Sequence, residues 1–206
     1  MSVTIENLVT SGTFSLDGGT WDVDNNVWIV GNDDECVVID SPHDADAIIN
    51  QVRGRKVLAI LLTHAHNDHI GAARAVAEAV DAPIHLHPED LMLWEQVYPG
   101  VKPDRYLTDG EEFHVGGATL RALHTPGHSP GSTCFYLEDE GTVFTGDTLF
   151  NGGPGATGRS YSDYPTILAS IRERLLTLPA ATVVRTGHGD NTSIAAERET
   201  LAKVPQ

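Results

Sequence analysis

Short, wholly apolar runs alternate along this chain with stretches of helical spacing. Val57-Leu58-Ala59-Ile60-Leu61-Leu62 puts six apolar residues in a row, which predicts a buried strand. Glu35-Cys36-Val37-Val38-Ile39, Thr133-Cys134-Phe135-Tyr136, Thr142-Val143-Phe144 and Thr182-Val183-Val184 are shorter runs of the same kind. Nearer the start, Thr4 to Val9 and Val27 to Val30 read as strands, with turns at Asp17-Gly18-Gly19 and Gly31-Asn32-Asp33-Asp34. Helical spacing appears from His43 to Val52 and in Ile70, Ala73, Val76, Ala77 and Val80. It returns in Tyr164, Ile167, Leu168, Ile171 and Leu175, where Asp163 is a candidate N-cap. Strands and helices alternate to about Glu95, and β segments run from Glu111 to Phe144. This pattern predicts an α/β fold in layers. The 206 residues hold no repeat, low-complexity tract or Pro/Ser linker, so one domain spanning 1–206 is expected.

The chemistry gathers where the apolar runs end. Thr63-His64-Ala65-His66-Asn67-Asp68-His69-Ile70-Gly71 follows Leu62 directly and packs three imidazoles and a carboxylate into six residues. Imidazole nitrogen with carboxylate oxygen suits zinc, iron or manganese. If the backbone stays extended past Leu62, His64, His66 and Asp68 project to one side, and His69 falls on the other at the entry to a helix. One loop then serves two neighbouring metals. Three later segments have the same character: His124-Thr125-Pro126-Gly127-His128-Ser129-Pro130-Gly131-Ser132, in which prolines and glycines hold His128 on a stiff loop, Phe144-Thr145-Gly146-Asp147-Thr148, and Thr186-Gly187-His188-Gly189-Asp190. His85 and His87, in a strand-like stretch ending at Pro88, read as structural or surface residues, and His43 and His114 as surface residues. His124, close to His128, is a candidate partner for orienting a ligand or water.

Composition narrows the classes. A net charge of -16 points away from nucleic acid and anionic membranes as partners. Two distant cysteines exclude a disulfide framework and a cysteine zinc ribbon. The start, Met1 to Asn7, carries no basic n-region, and no run approaches the ~20 apolar residues of a membrane helix. A cytoplasmic protein is expected. Gly153-Pro154-Gly155-Ala156-Thr157-Gly158-Arg159-Ser160 nearly matches the phosphate-binding G-x-x-x-x-G-K-[ST], with arginine where lysine is required. Following a ligand-like segment instead of opening a parallel-sheet unit, it reads as a substrate-facing loop. Arg159 is then placed to meet a substrate carboxylate by a bidentate contact.

The string His64-x-His66-x-Asp68-His69, followed in order by His128, Asp147 and His188, resembles the metallo-β-lactamase superfamily, and within it the glyoxalase II (hydroxyacylglutathione hydrolase)-like branch. The resemblance runs from about Asn25 to about Arg198. It implies a four-layered αββα sandwich of two mixed β-sheets with flanking helices, the ligand loops meeting along one edge. It also implies that His64, His66 and His128 hold one metal, that Asp68, His69 and His188 hold a second, and that Asp147 bridges them. Two divalent metal ions are expected, zinc first, with iron or manganese as alternatives. The superfamily's antibiotic-cleaving zinc enzymes often carry a cysteine where this chain has Asp147. Here Cys36 and Cys134 both sit in apolar runs, so the set is all nitrogen and oxygen and points away from β-lactam cleavage.

Metal-activated water at a polarised carbonyl suits a thioester, whose thiolate leaves with little help. No Ser/His/Asp arrangement, catalytic cysteine context or paired Glu signature competes with this. The leading expectation is a hydrolase of a small-molecule thioester, such as a 2-hydroxyacyl conjugate of a low-molecular-weight thiol, by attack of a metal-bridging hydroxide with Asp68 orienting the nucleophile. The runner-up is a persulfide dioxygenase of the same superfamily, with one iron on His64, His128 and Asp147. A lactonase or other esterase, a nuclease and a non-enzymatic metal-binding scaffold rank behind. Glyoxalase II enzymes add a C-terminal helical region with basic residues for glutathione, whereas only about 18 residues follow His188 here. The thiol carrier therefore stays open.

Overall fold

In a computed structural model that describes residues 3–203, the apolar runs become the central strands of two sheets. Met1-Ser2 and Val204-Pro205-Gln206, counted in the one-domain expectation, lie outside the described residues. The first sheet takes its strands in sequence order: β1 (Thr4–Leu16), β2 (Gly19–Gly31), β3 (Glu35–Ile39), β4 (Lys56–Leu61), β5 (Ile84–Leu86) and β6 (Arg105–Tyr106). Its first three strands are antiparallel and β3 to β6 run parallel, with α1 (Ala45–Val52), α2 (Asn67–Ile70), α3 (Ala73–Val80) and α4 (Leu91–Val97) between them.

The second sheet holds β7 (Glu112–Val115), β8 (Ala118–His124), β9 (Thr133–Leu137), β10 (Thr142–Gly146), β13 (Val183–Thr186) and β14 (Thr192–Ser193), in the order β14-β13-β10-β9-β8-β7. A small ribbon of β11 (Leu149–Phe150) and β12 (Gly153–Pro154) stands apart, and α5 (Tyr164–Ser170) and α6 (Ile194–Leu201) complete the chain.

The layers follow from the two-residue period of a strand. Trp28, Val30, Val37, Ile39, Ala59 and Leu61 point from the first sheet into a core shared with Leu120, Ala122, Phe135, Leu137 and Phe144 of the second. Their neighbours Val27, Ile29, Cys36, Val38 and Ile60 face the other way, onto Ile48, Val52, Ala73, Val76 and Trp94 of the helices. In the second sheet Cys134, Tyr136, Val143 and Val184 turn outward onto Ile167, Ile171, Leu175 and Ile194. Strands covered on both faces need apolar residues on both, which explains the unbroken runs in the sequence. The result is the expected four-layered αββα sandwich of two mixed sheets.

Three elements depart from expectation. β1 and β2 are each 13 residues long, well beyond Val9 and before Val27. Their outer halves mix polar and apolar residues and are partly exposed, and cross-strand pairing from Val9↔Asn26 to Leu16↔Gly19 holds them. Asp17 and Gly18 turn the hairpin with φ of 53° and 77°, the left-handed pair a two-residue hairpin favours. The stripe from Ile70 to Val80 is broken into α2 and α3 around Gly71-Ala72. Asp163 caps α5 as expected, but Tyr164, the first of its stripe, is exposed, and the helix continues from Ile171 to Leu175 as a π-type turn.

Phe135 is fully buried between the sheets. Phe135→Ala should cost about 3–5 kcal/mol, read as a lower urea midpoint with an unchanged slope. A loss below about 1 kcal/mol would mean that this layer is not tightly packed.

Candidate metal centre

The expected ligands all leave strand ends on one edge of the sandwich: the His64–His69 loop follows β4, His128 follows β8, Asp147 follows β10 and His188 follows β13. β4 is pinned at its end by a residue that sequence reasoning did not single out. Asp40, buried just after β3, accepts the Thr63 N–H at 2.8 Å on Oδ1. Its Oδ2 accepts the Thr63 hydroxyl and His69 Nδ1, each at 2.8 Å. The extended phase ends at His66 (φ -66°, ψ 146°), and α2 begins at Asn67. This corrects the expectation that Asp68 would share a side with His64 and His66. The change from a two-residue to a 3.6-residue period swings Asp68 beside His69, with Asp68 Oδ2 3.6 Å from His69 Nε2.

Two adjoining pockets result. In the first, His64 Nε2 and His128 Nε2 lie 3.0 Å and 3.1 Å from His66 Nδ1. In the second, His69 Nε2 and His188 Nε2 are 3.2 Å apart, and Asp68 Oδ2 is 3.3 Å from His188 Nε2. Asp147 stands between them. Its Oδ1 is 3.2 Å from His69 Nε2, and its Oδ2 is 3.3 Å from His188 Nε2 and 3.6 Å from His128 Nε2. The structure thus brings together all seven ligands implied by the resemblance.

Which nitrogen faces inward is set from behind. His128 Nδ1 donates to the Ala156 carbonyl at 2.9 Å, and His188 Nδ1 to the Asp24 carbonyl at 2.7 Å. His69 Nδ1 donates to Asp40. His64 Nδ1 lies 3.1 Å from Thr63 Oγ1, whose own proton goes to Asp40, so the imidazole is the donor there. These anchors leave four Nε2 atoms facing the pockets. Of the three nitrogens that converge at about 3 Å in the first pocket only His66 Nδ1 can carry a proton, which one neighbour at most accepts, and buried Asp147 Oδ1 has no hydrogen-bond partner. A cation resolves both problems. The donor set of imidazoles and carboxylates, each oriented by a second hydrogen bond, fits divalent metals.

The electrostatics of the two pockets differ. Burial, with neighbouring imidazoles, pushes His64 well below its ordinary pKa and His66 down to about 3. In the second pocket burial also opposes charging, but Asp147 and Asp68 outweigh it: His69 is raised well above the ordinary value and His188 to about 10. Asp147 stays well below the usual carboxylate range because His188 and His69 overcome its burial. Burial lifts both cysteine thiols to about 11, so neither Cys36 nor Cys134 offers a thiolate.

Further residues escaped the sequence reading because their signal is tertiary. Asn25, fully buried, donates from Nδ2 to Asp68 Oδ2 at 3.1 Å, and its Oδ1 accepts from His43 Nε2 at 2.8 Å. His43 is therefore half-buried behind the second pocket and not a surface residue, as expected above. Asp90 accepts from Ala65 N, Ser129 Oγ and Gly131 N at 2.9, 2.7 and 2.6 Å, tying the β4 loop to the His128 loop. Its burial raises its pKa despite these donors. Gly187 is a close approach: a Cβ there would lie 2.3 Å from Asp147 Oδ1.

The remaining histidines stay outside the centre. His124 touches no ligand; its Nε2 donates to the Pro130 carbonyl at 2.9 Å and its ring stacks on His87. With Glu89 these two form another group of possible ligands. Their rings lie face to face at 3.9 Å and 11°. His85 packs on Phe113, and exposed His114 bonds Thr119, as structural and surface residues do. The near-match to a phosphate loop serves the metal centre instead: Ala156 orients His128, and Ser160 N donates to Asp17 Oδ2 at 2.9 Å on the β1–β2 turn. Arg159 is exposed and stacks on Trp21. Among the described residues no helix is long and apolar enough to cross a membrane.

Comparison with known proteins agrees with this geometry. The family model for the metallo-beta-lactamase superfamily matches residues 20–188, and the chain belongs to that superfamily. It is 38% identical over 182 residues to the probable metallo-hydrolase YqgX of Bacillus subtilis, covering 82% of this chain and 86% of that one. It is 33% identical over 183 residues to the hydroxyacylglutathione hydrolase GloC of Haemophilus influenzae, covering 81% and 86%. Among solved structures, the BLEG-1 B3 metallo-beta-lactamase superposes with a TM-score of 0.78 at 35% identity, over 92% of this chain and 97% of that one. The di-iron-bound form of TTHA1623 gives 0.77 at 34%, over 93% and 98%.

Asp40→Ala should weaken metal affinity about 10–100-fold, measured by competition with a chromophoric chelator. Unchanged affinity would show that the His69 and Thr63 bonds do not position the ligands.

Proposed function

We propose that this metal-dependent hydrolase cleaves a thioester, such as a 2-hydroxyacyl conjugate of a low-molecular-weight thiol. The observation that carries the reading is the pair of adjoining pockets sharing Asp147, built wholly from nitrogen and oxygen donors. His64, His66 and His128 with Asp147 would hold one divalent ion, and Asp68, His69 and His188 with Asp147 the other. Bound there, such ions lower the pKa of water to about 7 and polarise a carbonyl. Zinc is the first expectation; the di-iron form of TTHA1623 supports iron as the alternative.

The chain's own groups fit a substrate with an easy leaving group. Four of the five imidazoles are committed at both nitrogens, one to an anchor and one to a pocket. None of these four is free to protonate a poor leaving group, and a thiolate departs without that help. Asp68 holds its carboxylate at the second pocket through Asn25, in place to orient an attacking water. The similarity to GloC, a hydroxyacylglutathione hydrolase, supports the substrate class.

The test begins with metal stoichiometry, by elemental analysis of protein purified under low oxygen without added metal or chelator. Two ions per chain, with turnover of 2-hydroxyacyl thioesters, are expected. Asp147→Ala should lose both metal and turnover. A single iron per chain with persulfide-dependent oxygen uptake would replace this reading by the dioxygenase. A β-lactam belongs in the same panel because BLEG-1 is a B3 metallo-beta-lactamase. Preference for it over every thioester would overturn the assignment.

A further inference from the structure

Beside the first pocket the β1–β2 hairpin and the loop after β12 meet over the metal centre. Phe14 and Trp21, cross-strand partners near the hairpin tip, stack with ring centres 5.7 Å apart. Phe14 also packs on His66 at 5.1 Å. Arg159 reaches across from the loop, its guanidinium 4.1 Å from the Trp21 ring centre and 5.3 Å from that of Phe14. Phe14, Arg159, His66 and His128 line one small cavity of about 10 Å³. One aromatic ring therefore separates the guanidinium from a ligand of the first pocket.

A guanidinium held over an aromatic ring by cation–π attraction keeps its N–H donors available for a planar anion. Among the described residues no carboxylate lies within ion-pair distance of Arg159, and no hydrogen bond from its side chain is formed. The nearby carboxylate of Asp17 is engaged by the Ser160 N–H. Asp17 feels the charge of Arg159 only from beyond ion-pair distance, which leaves an exposed cation without a direct carboxylate contact in a chain of net charge -16. Ser162 braces the turn that carries it, accepting the Gly158 and Arg159 N–H groups and donating to the Arg159 carbonyl.

We infer that Arg159, posed on the Phe14–Trp21 face, is a substrate-binding residue that takes a carboxylate one aromatic ring away from the reacting carbonyl. This rests on the thioesterase reading and narrows its substrates to thioesters bearing a carboxylate in either the thiol or the acyl part. Trp21 is then a positioning residue, which acts by holding the guanidinium in place.

Three thioesters separate the possibilities: S-lactoylglutathione, with carboxylates in the thiol part; succinyl-N-acetylcysteamine, with one in the acyl part; and lactoyl-N-acetylcysteamine, with none. Arg159→Met should raise KM for one of the two charged substrates about 10–100-fold, the worth of a charge-assisted bidentate contact. It should leave kcat, metal content and the neutral substrate's KM unchanged. Trp21→Leu should raise the same KM in the same direction, and Arg159→Lys should restore part of the loss. Equal effects on all three substrates, or none, would overturn the inference and leave Arg159 as a clasp between loop and hairpin. Binding of S-methylglutathione and of succinate, followed by calorimetry, keeps this test separate from the activity. If wild type hydrolyses no thioester but binds either probe in an Arg159-dependent way, the reaction assignment fails and the anion site stands. If wild type binds neither and its KM values show no Arg159-dependent charge preference, the anion site fails.

Discussion

A single buried carboxylate carries the geometry of the metal centre. Asp40 accepts three hydrogen bonds: the Thr63 N–H that ends β4, the Thr63 hydroxyl, and Nδ1 of His69. Through the Thr63 hydroxyl oxygen it also fixes the face of His64. One carboxylate thus sets the register of the loop and the tautomers of two imidazoles, one in each pocket. In a site of low dielectric such charge-assisted bonds are strong when complete and costly when broken. Gly146 and Gly187 continue the same economy of space, since a side chain at either would drive into Thr63 or Asp147.

The two pockets are electrostatically unlike. In the first, burial and neighbouring imidazoles discourage His64 and His66 from charging. Carboxylates dominate the second and lift the affinity of its histidines for positive charge. Asp147 belongs to both and balances them. A soft thiolate is absent, because both cysteines are buried in the sheets with raised pKa values. Hard and borderline divalent ions match such a set.

The loop after β12 joins the centre to its entrance. Its Ala156 carbonyl orients His128, and its Arg159 lies on the hairpin ring that packs on His66. Movement of the hairpin tip would therefore be felt at a ligand, and a group bound at Arg159 would sit in fixed relation to the first pocket. Asp90 does the corresponding work on the other side, holding the β4 loop and the His128 loop with three bonds.

The sequence by itself determined the layers and the ligand identities. Unbroken apolar runs reveal strands covered on both faces, and histidines and aspartates at their ends reveal a metal edge, because both are local patterns read at a fixed period. The family resemblance already implied which donors share a pocket, but only the tertiary structure supplied the physical cause. Asp68 joined His69 and left His64 because α2 starts at Asn67, a change of period that the string does not announce. It also decided the supports: Asp40, Asn25 and Asp90 reach the centre from positions distant in sequence, and His43 left the surface to hold Asn25. The outer halves of β1 and β2 mix polar residues with Phe14, Leu16, Trp21 and Val23 and are sustained by pairing across the hairpin. Such contacts depend on a partner brought near by folding, so no window of neighbouring residues carries their signal.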